Sequence, residues 1–268
     1  MPFEITHHAG HVLFTSDSAR SLREAVYEAA RAEVALGGAM LEGADLSRLD
    51  LENMVFDGAR LSGASFRNAN LERGSFAHAE LGSASFEGAN LEDADLTSAV
   101  LVAANLSGAN LEGARLSNVC ATRAKFEGAN LEHAKLEGAI IDDASFARAN
   151  LERACLANVR GAGAVFASAN LEKSDFREAD LSGASLVSVN LEKADLRGAR
   201  LADAVFVGAN LEKVDLRSAH IVRTDFTEAN LEKADLRGAH VEDARLTDAN
   251  LYKVLGLEPR TTSVHPYR

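Results

Sequence analysis

From residue 41 the hydrophobic positions fall on a five-residue beat. Leu41, Leu46, Leu51, Phe56, Leu61, Phe66 and Leu71 open a series that runs without insertion to Leu251, 43 units in all. Two residues before each there is usually Ala. A step of twenty lies over the step of five. Ala69-Asn70-Leu71-Glu72 returns as Ala89-Asn90-Leu91-Glu92 and again at every twentieth residue, ending as Ala249-Asn250-Leu251-Tyr252. A fixed short period is read before any local propensity.

The abundant Ala, Leu, Glu, Lys and Arg would suggest helix, but the period denies it. Five residues advance an α-helix by about 500°, so successive Leu would land about 140° apart and never form one stripe. In extended chain, positions two apart share a face. Ala (i−2) and Leu or Phe (i) then point inward together, with i−1 outward between them. The two remaining residues turn a corner. Four corners close a coil of twenty, so the expected class is an all-β solenoid with four sides.

The repeated Ala-Asn-Leu-Glu and Ala-Asp-Leu-Arg units resemble the pentapeptide-repeat family, whose consensus is A-(D/N)-L-x-x, over residues 39–251. The resemblance implies a right-handed quadrilateral β-helix with a filled interior. Coils stacked at strand spacing, about 4.8 Å, would give a rod about 50 Å long, the length of about 15 base pairs of B-DNA.

Three segments follow in order: an N-terminal cap (1–38), the repeat β-helix of about eleven coils (39–253) and a C-terminal tail (254–268). In the cap, Phe3, Ile5, Val12 and Phe14 around Ala9-Gly10 predict a short hairpin. Ser21-Leu22-Arg23-Glu24 has capping-box spacing, with Asp17 or Ser18 an alternative start. Leu22, Val26, Ala29, Ala30 and Val34 form an apolar stripe that Gly37-Gly38 should end. A solenoid end exposes strand edges and core, so residues 1–38 read as a plug or a partner-docking module. The tail leaves the repeat phase after Leu251 at Val254, Leu255 and Leu257 and should cover the last coil.

We number the four sides by their central residues. Side 1 carries Leu71 and Leu91, and side 2 carries Phe76 and Leu96. Side 3 carries Leu81 and Leu101, and side 4 carries Phe66 and Phe86. Seven of the twelve Phe fall on side 4, which predicts a stack of rings inside. On side 3, Ala121 and Gly161 replace the large residue, and Val119 and Val159 replace the preceding Ala. That substitution fits local refilling of the core.

Charge changes the picture outside. The formal net charge is −12, which argues against nonspecific binding to nucleic acid or anionic membrane. Residues 41–150 hold 17 Asp/Glu against 9 Lys/Arg, and residues 151–250 hold 17 against 13. In the second stretch Lys173, Lys193, Lys213 and Lys233 follow the Glu column, and Arg177, Arg197, Arg217 and Arg237 stand beside Asp175, Asp195, Asp215 and Asp235. The first stretch lacks this, so Glu87, Glu92, Asp93, Asp95, Glu112, Glu127 and Glu132 should make an acidic partner surface. The Asn column should hydrogen-bond along its length. Outward apolar residues form two candidate interface strips, Val100, Val102 and Ile140 on side 3 and Val165, Val187, Val205 and Val207 on side 4. Columns of Val suggest contact, or strand propensity alone.

Reaction chemistry is sparse. The glycines sit at corners and not in a phosphate loop. Carboxylates stand on convex faces with no cleft to shift them. His7, His8 and His11 are either metal ligands gathered by the hairpin or exposed cap residues. No cofactor or metal is expected, and the chain reads as non-enzymatic. No run of about twenty apolar residues predicts a membrane helix. Residues 1–5 lack a signal-peptide pattern, and the two cysteines lack metal spacing. Together these predict a cytoplasmic protein.

Function then means binding to a protein. The resemblance implies a specific partner, because some pentapeptide-repeat proteins are acidic DNA mimics that bind DNA gyrase and related type II topoisomerases and protect them from inhibitors. Such members are usually dimers, which makes a homodimer a further expectation. The alternative is a structural or adaptor protein that uses its flat faces for another partner.

Overall fold

Parallel bridges between residues twenty apart organise the chain, and a computed structural model describes them for residues 2–257. The chain divides into two units, Met1–Lys135 and Leu136–Arg268.

In the first unit the N-terminal hairpin pairs β1 (Phe3–Thr6) with β2 (Val12–Ser16), antiparallel. Gly10, at φ +88°, makes the reversal. Helix α1 spans Leu22–Arg31, with Ser21 as N-cap accepting from the Glu24 amide. The Glu24 carboxylate reaches back to the Arg20 N–H, one residue before the cap, a near variant of the capping box. Ala25, Val26 and Ala29 are buried, whereas Leu22, Ala30 and Val34 are half-buried. The helix stops well before Gly37-Gly38. Glu33 takes the left-handed conformation, φ +55°, and Val34 N–H returns to the Ala29 carbonyl. Already at Leu36 and Gly38 the amides donate to Val55 and Asp57 one coil on.

Four columns of parallel bridges then run through this unit. They are Met40–Arg60–Glu80–Val100–Cys120, Asp45–Ser65–Ser85–Asn105–Lys125, Asp50–Asn70–Asn90–Asn110–Asn130 and Val55–Ser75–Asp95–Arg115–Lys135. The second unit repeats the pattern, for example Asn150–Asn170–Asn190–Asn210–Asn230–Asn250. Its third side includes β3 (His220–Val222) and β4 (His240–Glu242), paired in parallel. Elsewhere each side contributes a single bridge residue, because corners leave too little extended chain for a longer strand.

The corners show why. Ala64 N–H donates to the Leu61 carbonyl at 2.9 Å, and the same bond recurs through both arrays. The residue two after each inward Leu or Phe has positive φ, as a type II turn requires. Glycine fills some of these sites, such as Gly63, but Arg73, Ala103, Lys173 and Glu178 hold φ of +54° to +58° without that freedom.

The interior is almost wholly apolar. Leu71, Leu91 and Leu111 are almost completely buried, as are the Ala residues two before the inward positions through Ala234; Ala239, Ala244 and Ala249 on the last coil are half-buried. In the first unit Phe66 stacks on Phe86 at 4.9 Å, with Phe76 of side 2 edge-on to both at 5.7 and 5.9 Å. In the second unit Phe146–Phe166 and Phe206–Phe226 stack at 5.0 Å. Burying each ring contributes about 1.5–3 kcal/mol. The Gly161 gap is filled: a Cβ there would lie 3.0 Å from Ile141 Cγ1 and 3.4 Å from Leu181 Cδ2.

Toward the C-terminus the phase persists past Leu251. Leu255 bridges Asp235, and its N–H reaches Ala234. The reading that the phase breaks after Leu251 is therefore corrected, since backbone pairing tolerates Leu at an outward site. Val241, Leu246, Leu251, Val254 and Leu257 line an apolar recess on the last coil. The rest of the expected tail cover lies outside the described residues.

Candidate functional site

Side 1 of the first unit is built by an amide ladder. Asn110 Nδ2 donates to Asn90 Oδ1 at 3.1 Å, and Asn130 Nδ2 donates to Asn110 Oδ1 at 3.1 Å. The same amides reach sideways. Asn110 Nδ2 lies 3.2 Å from Glu92 Oε2, and Asn130 Nδ2 lies 3.2 Å from Glu112 Oε2. Each Asn thus aims the Glu of the preceding coil. Sequence reading found the ladder but missed this coupling. Its only signal is Glu standing two residues after Asn in every coil.

These carboxylates meet few cations. Among the described residues Glu92, Asp93, Glu112 and Glu127 form no ion pair. Glu92 and Asp93 share one corner, with Glu112 and Glu132 following one and two coils on. Glu87 and Glu127 belong to side 4. Arg67 pairs with Glu87 at 3.0 Å, and the Ser107 hydroxyl donates to Glu127 at 3.0 Å. Asp95 stands on side 2, 3.8 Å from Arg115, in a recess shared by Arg73, Asp93 and Lys135. Glu132 lies 3.7 Å from His133 Nε2.

The second unit treats the equivalent residues differently. Lys173, Lys193 and Lys213 bind the Glu of their own coil at 2.6–2.7 Å and approach that of the coil before at 3.7–3.9 Å where a pair forms. The hydrogen bond from Lys193 holds the Glu192 carboxyl below its ordinary range against the opposing desolvation, with Lys213 and Lys173 adding to it. On side 2, Arg177, Arg197 and Arg217 grip Asp175, Asp195 and Asp215 at 2.6–2.7 Å and lean toward the next Asp at 3.7–3.8 Å. These acids are occupied within the unit.

The outward apolar residues are mostly half-buried by their neighbours; Val100, at 41% exposure, is the exception. On side 3 of the first unit Val100 stands between Glu80 and Cys120, with Val102 beside it. Ile140 belongs to the second unit and bridges Arg160. On side 4 of that unit Ser185 separates Val165 from Val205, while Val187 and Val207 stand on adjacent coils. The strip ends at Asp225.

The hairpin does gather His7, His8 and His11, yet among the described residues no group of His, Cys, Asp and Glu is arranged to hold a metal ion. Both cysteines are free, and burial pushes the Cys155 thiol up to about 11. Among the described residues no helix is long and apolar enough to cross a membrane.

Comparison with known proteins follows from this geometry. No curated protein matches the chain. Among solved structures it is similar to HetL, a pentapeptide repeat protein involved in heterocyst differentiation regulation in the cyanobacterium Nostoc sp., with 28% identity over 89% of this chain and 98% of that one and a TM-score of 0.40. It is similar to QnrB1, a plasmid-mediated fluoroquinolone resistance protein, with 20% identity over 74% and 90% and a TM-score of 0.36. A pentapeptide repeat protein of the Arabidopsis thaliana thylakoid lumen matches at 27% identity over 38% and 68%, with a TM-score of 0.30. The family model for pentapeptide repeats matches eight copies, beginning at residue 36 and ending at residue 254. With that match spanning both arrays of twenty-residue coils, the chain belongs to the pentapeptide-repeat family.

Proposed function

We propose that this protein is a non-catalytic, cytoplasmic binding protein whose first unit docks, through side 1 and the adjoining corner, on a cationic protein surface made to hold DNA. The specific partner we infer is DNA gyrase or a related type II topoisomerase, shielded from inhibitors by a DNA mimic. The observation that carries this reading is the contrast between the units. Glu92 and Glu112 form no ion pair among the described residues and are aimed by Asn, with Asp93 unpaired beside them, while the corresponding Glu172, Glu192 and Glu212 of the second unit are bound to Lys. One carboxylate per coil recurs at about 4.8 Å, against one phosphate per about 3.4 Å along a DNA strand. A right-handed coil and a division into cap (1–38), coils (39–253) and tail (254–268) belong to this reading, with the backbone pairing running on to Leu255 at the start of the tail.

The test is binding of purified gyrase to the immobilised protein. Reversing Glu87, Glu92, Asp93 and Glu112 to Lys should abolish capture while the far-UV spectrum stays unchanged. Capture of the parent should fall steeply with salt. Unchanged capture by the reversed variant, or none by the parent, would refute the reading. The adaptor alternative draws on the outward valines. If Val165→Lys with Val205→Lys, or Val100→Lys with Ile140→Lys, removes a homodimer or a partner seen in sedimentation, those strips are the interface.

A further inference from the structure

The hairpin is joined to the first coil around one imidazole. Met40 N–H donates to the Thr6 carbonyl and His8 N–H to the Gly38 carbonyl, each at 2.9 Å, and His7 bridges Ala39 in antiparallel sense. The hairpin therefore adds an edge to the column that starts at Met40. The His7 ring lies in the joint. A Cβ on Gly38 would come within 2.1 Å of its Nε2, so only glycine leaves room for the ring. Its centroid is 4.1 Å from that of His8 and 4.5 Å from that of His11, the latter stacked at 18°. Its Nδ1 accepts the Ala9 N–H at 2.9 Å.

That last bond fixes a protonation state. A nitrogen that accepts a hydrogen bond carries no proton, so docked His7 is neutral. An imidazolium would turn an N–H toward the Ala9 N–H and set a charge against two further imidazoles. The ring cannot relieve this by turning while it is wedged over Gly38. We propose that the N-terminal cap is a proton-sensitive latch: His7 holds the hairpin on the first coil when neutral and releases it when protonated.

Among the described residues none supplies a compensating charge. His8 and His11 are the titratable groups whose charges act on His7; after burial itself, both push its pKa down. The coil segment beneath, Gly38-Ala39-Met40, is uncharged, and the next coil meets it through backbone atoms of Asp57 and Arg60. Glu28 of α1 is bound to Ser16 and Ser18 at the far end of β2. Because His7 is a weaker base docked than free, the latched state binds fewer protons. Its stability is full above the free value of 6.5 and falls as the pH drops below it. Release would uncover the Met40 N–H, the Gly38 carbonyl and buried Ile5.

Hydrogen exchange by mass spectrometry on the full chain tests this. After correction for intrinsic rates, protection of the Met40 and His8 amides should fall several-fold between pH 7.5 and pH 5.5, with a ceiling of about tenfold because pH 5.5 lies one unit below the free value. The variant His7→Asn keeps an acceptor for the Ala9 N–H, since an Asx turn places the side-chain oxygen there, but does not titrate. Its protection should be independent of pH over the same range. A flat profile for the parent, or an equal fall in His7→Asn, would overturn the latch. An imidazole titration by NMR that places His7 above 6.5 would do the same.

Discussion

Replacing Asn110 by Asp tests how the acidic side is held together. Asn110 Nδ2 donates to Asn90 Oδ1 and Glu92 Oε2, at 3.1 and 3.2 Å, and its Oδ1 accepts from Asn130 Nδ2 and the Glu112 amide, at 3.1 and 3.4 Å. Aspartate keeps both accepted bonds and loses both donated ones. The neutral bond is worth about 1 kcal/mol and the bond to the carboxylate about 1.5 kcal/mol at this half-buried site. The new charge also sits among carboxylates, at about 1 kcal/mol per 4 Å neighbour in water. Asn110→Asp should therefore destabilise by about 3 kcal/mol. Side 2 of the second unit shows the compensation: Asp195 holds the equivalent outward position within its five-residue unit, and Arg197, two residues on, binds it at 2.6 Å. Adding Glu112→Arg to Asn110→Asp should restore about 1–2 kcal/mol, although Glu112→Arg alone destabilises by losing the Asn130 bond. Urea unfolding of the parent, both single variants and the double variant gives the coupling energy directly. A coupling within about 0.3 kcal/mol of zero, or a neutral Asn110→Asp, would refute the reasoning.

Three further outcomes are expected. Ala103→Gly should stabilise the first unit by about 0.5–1 kcal/mol in thermal unfolding, because relief at φ +57° exceeds the added chain entropy. Gly161→Leu should destabilise by about 1–3 kcal/mol, since Ile141 and Leu181 already fill that space. Cys155, with its thiol at about 11, stays protonated at pH 7.5, so iodoacetamide should leave it essentially unmodified at neutral pH and alkylate it only as the pH approaches that value.

The five-residue period made the interior legible because only one backbone arrangement buries Ala69 with Leu71 while turning Asn70 outward. The Phe stack, the Asn ladder and the helix cap at Ser21 followed from spacing alone. The helix end did not. Gly37 and Gly38 look like a stop signal, but Glu33 takes the left-handed turn, and Gly38 instead clears space for His7. The corners stand where the period put them, but the period did not show that Arg73 or Lys173 adopts there what glycine adopts most easily. A repeated hydrogen bond across the turn offsets that strain, and propensity read one residue at a time does not register it. The acidic residues were visible by composition, but their grouping was not. Asp95 is set apart on side 2 beside Arg115, whereas Glu92 and Glu112 share a column, a division fixed by position within the twenty and not by nearness in sequence.

The coil thus counts its own chain in two ways. Its inside repeats the same apolar pattern every five residues, with most of the Phe gathered on side 4. Its outside repeats every twenty, because Asn90 must meet Asn110 and Asp195 must meet Asp215. A growing coil that slipped by one side would still bury apolar residues, although out of step with the Phe stacks, and would lose every outer ladder. The polar columns therefore distinguish the native register from its one-side slips. They also set the unit of growth: gain or loss of five residues shifts every later column by one side, whereas gain or loss of twenty leaves each residue facing its own kind.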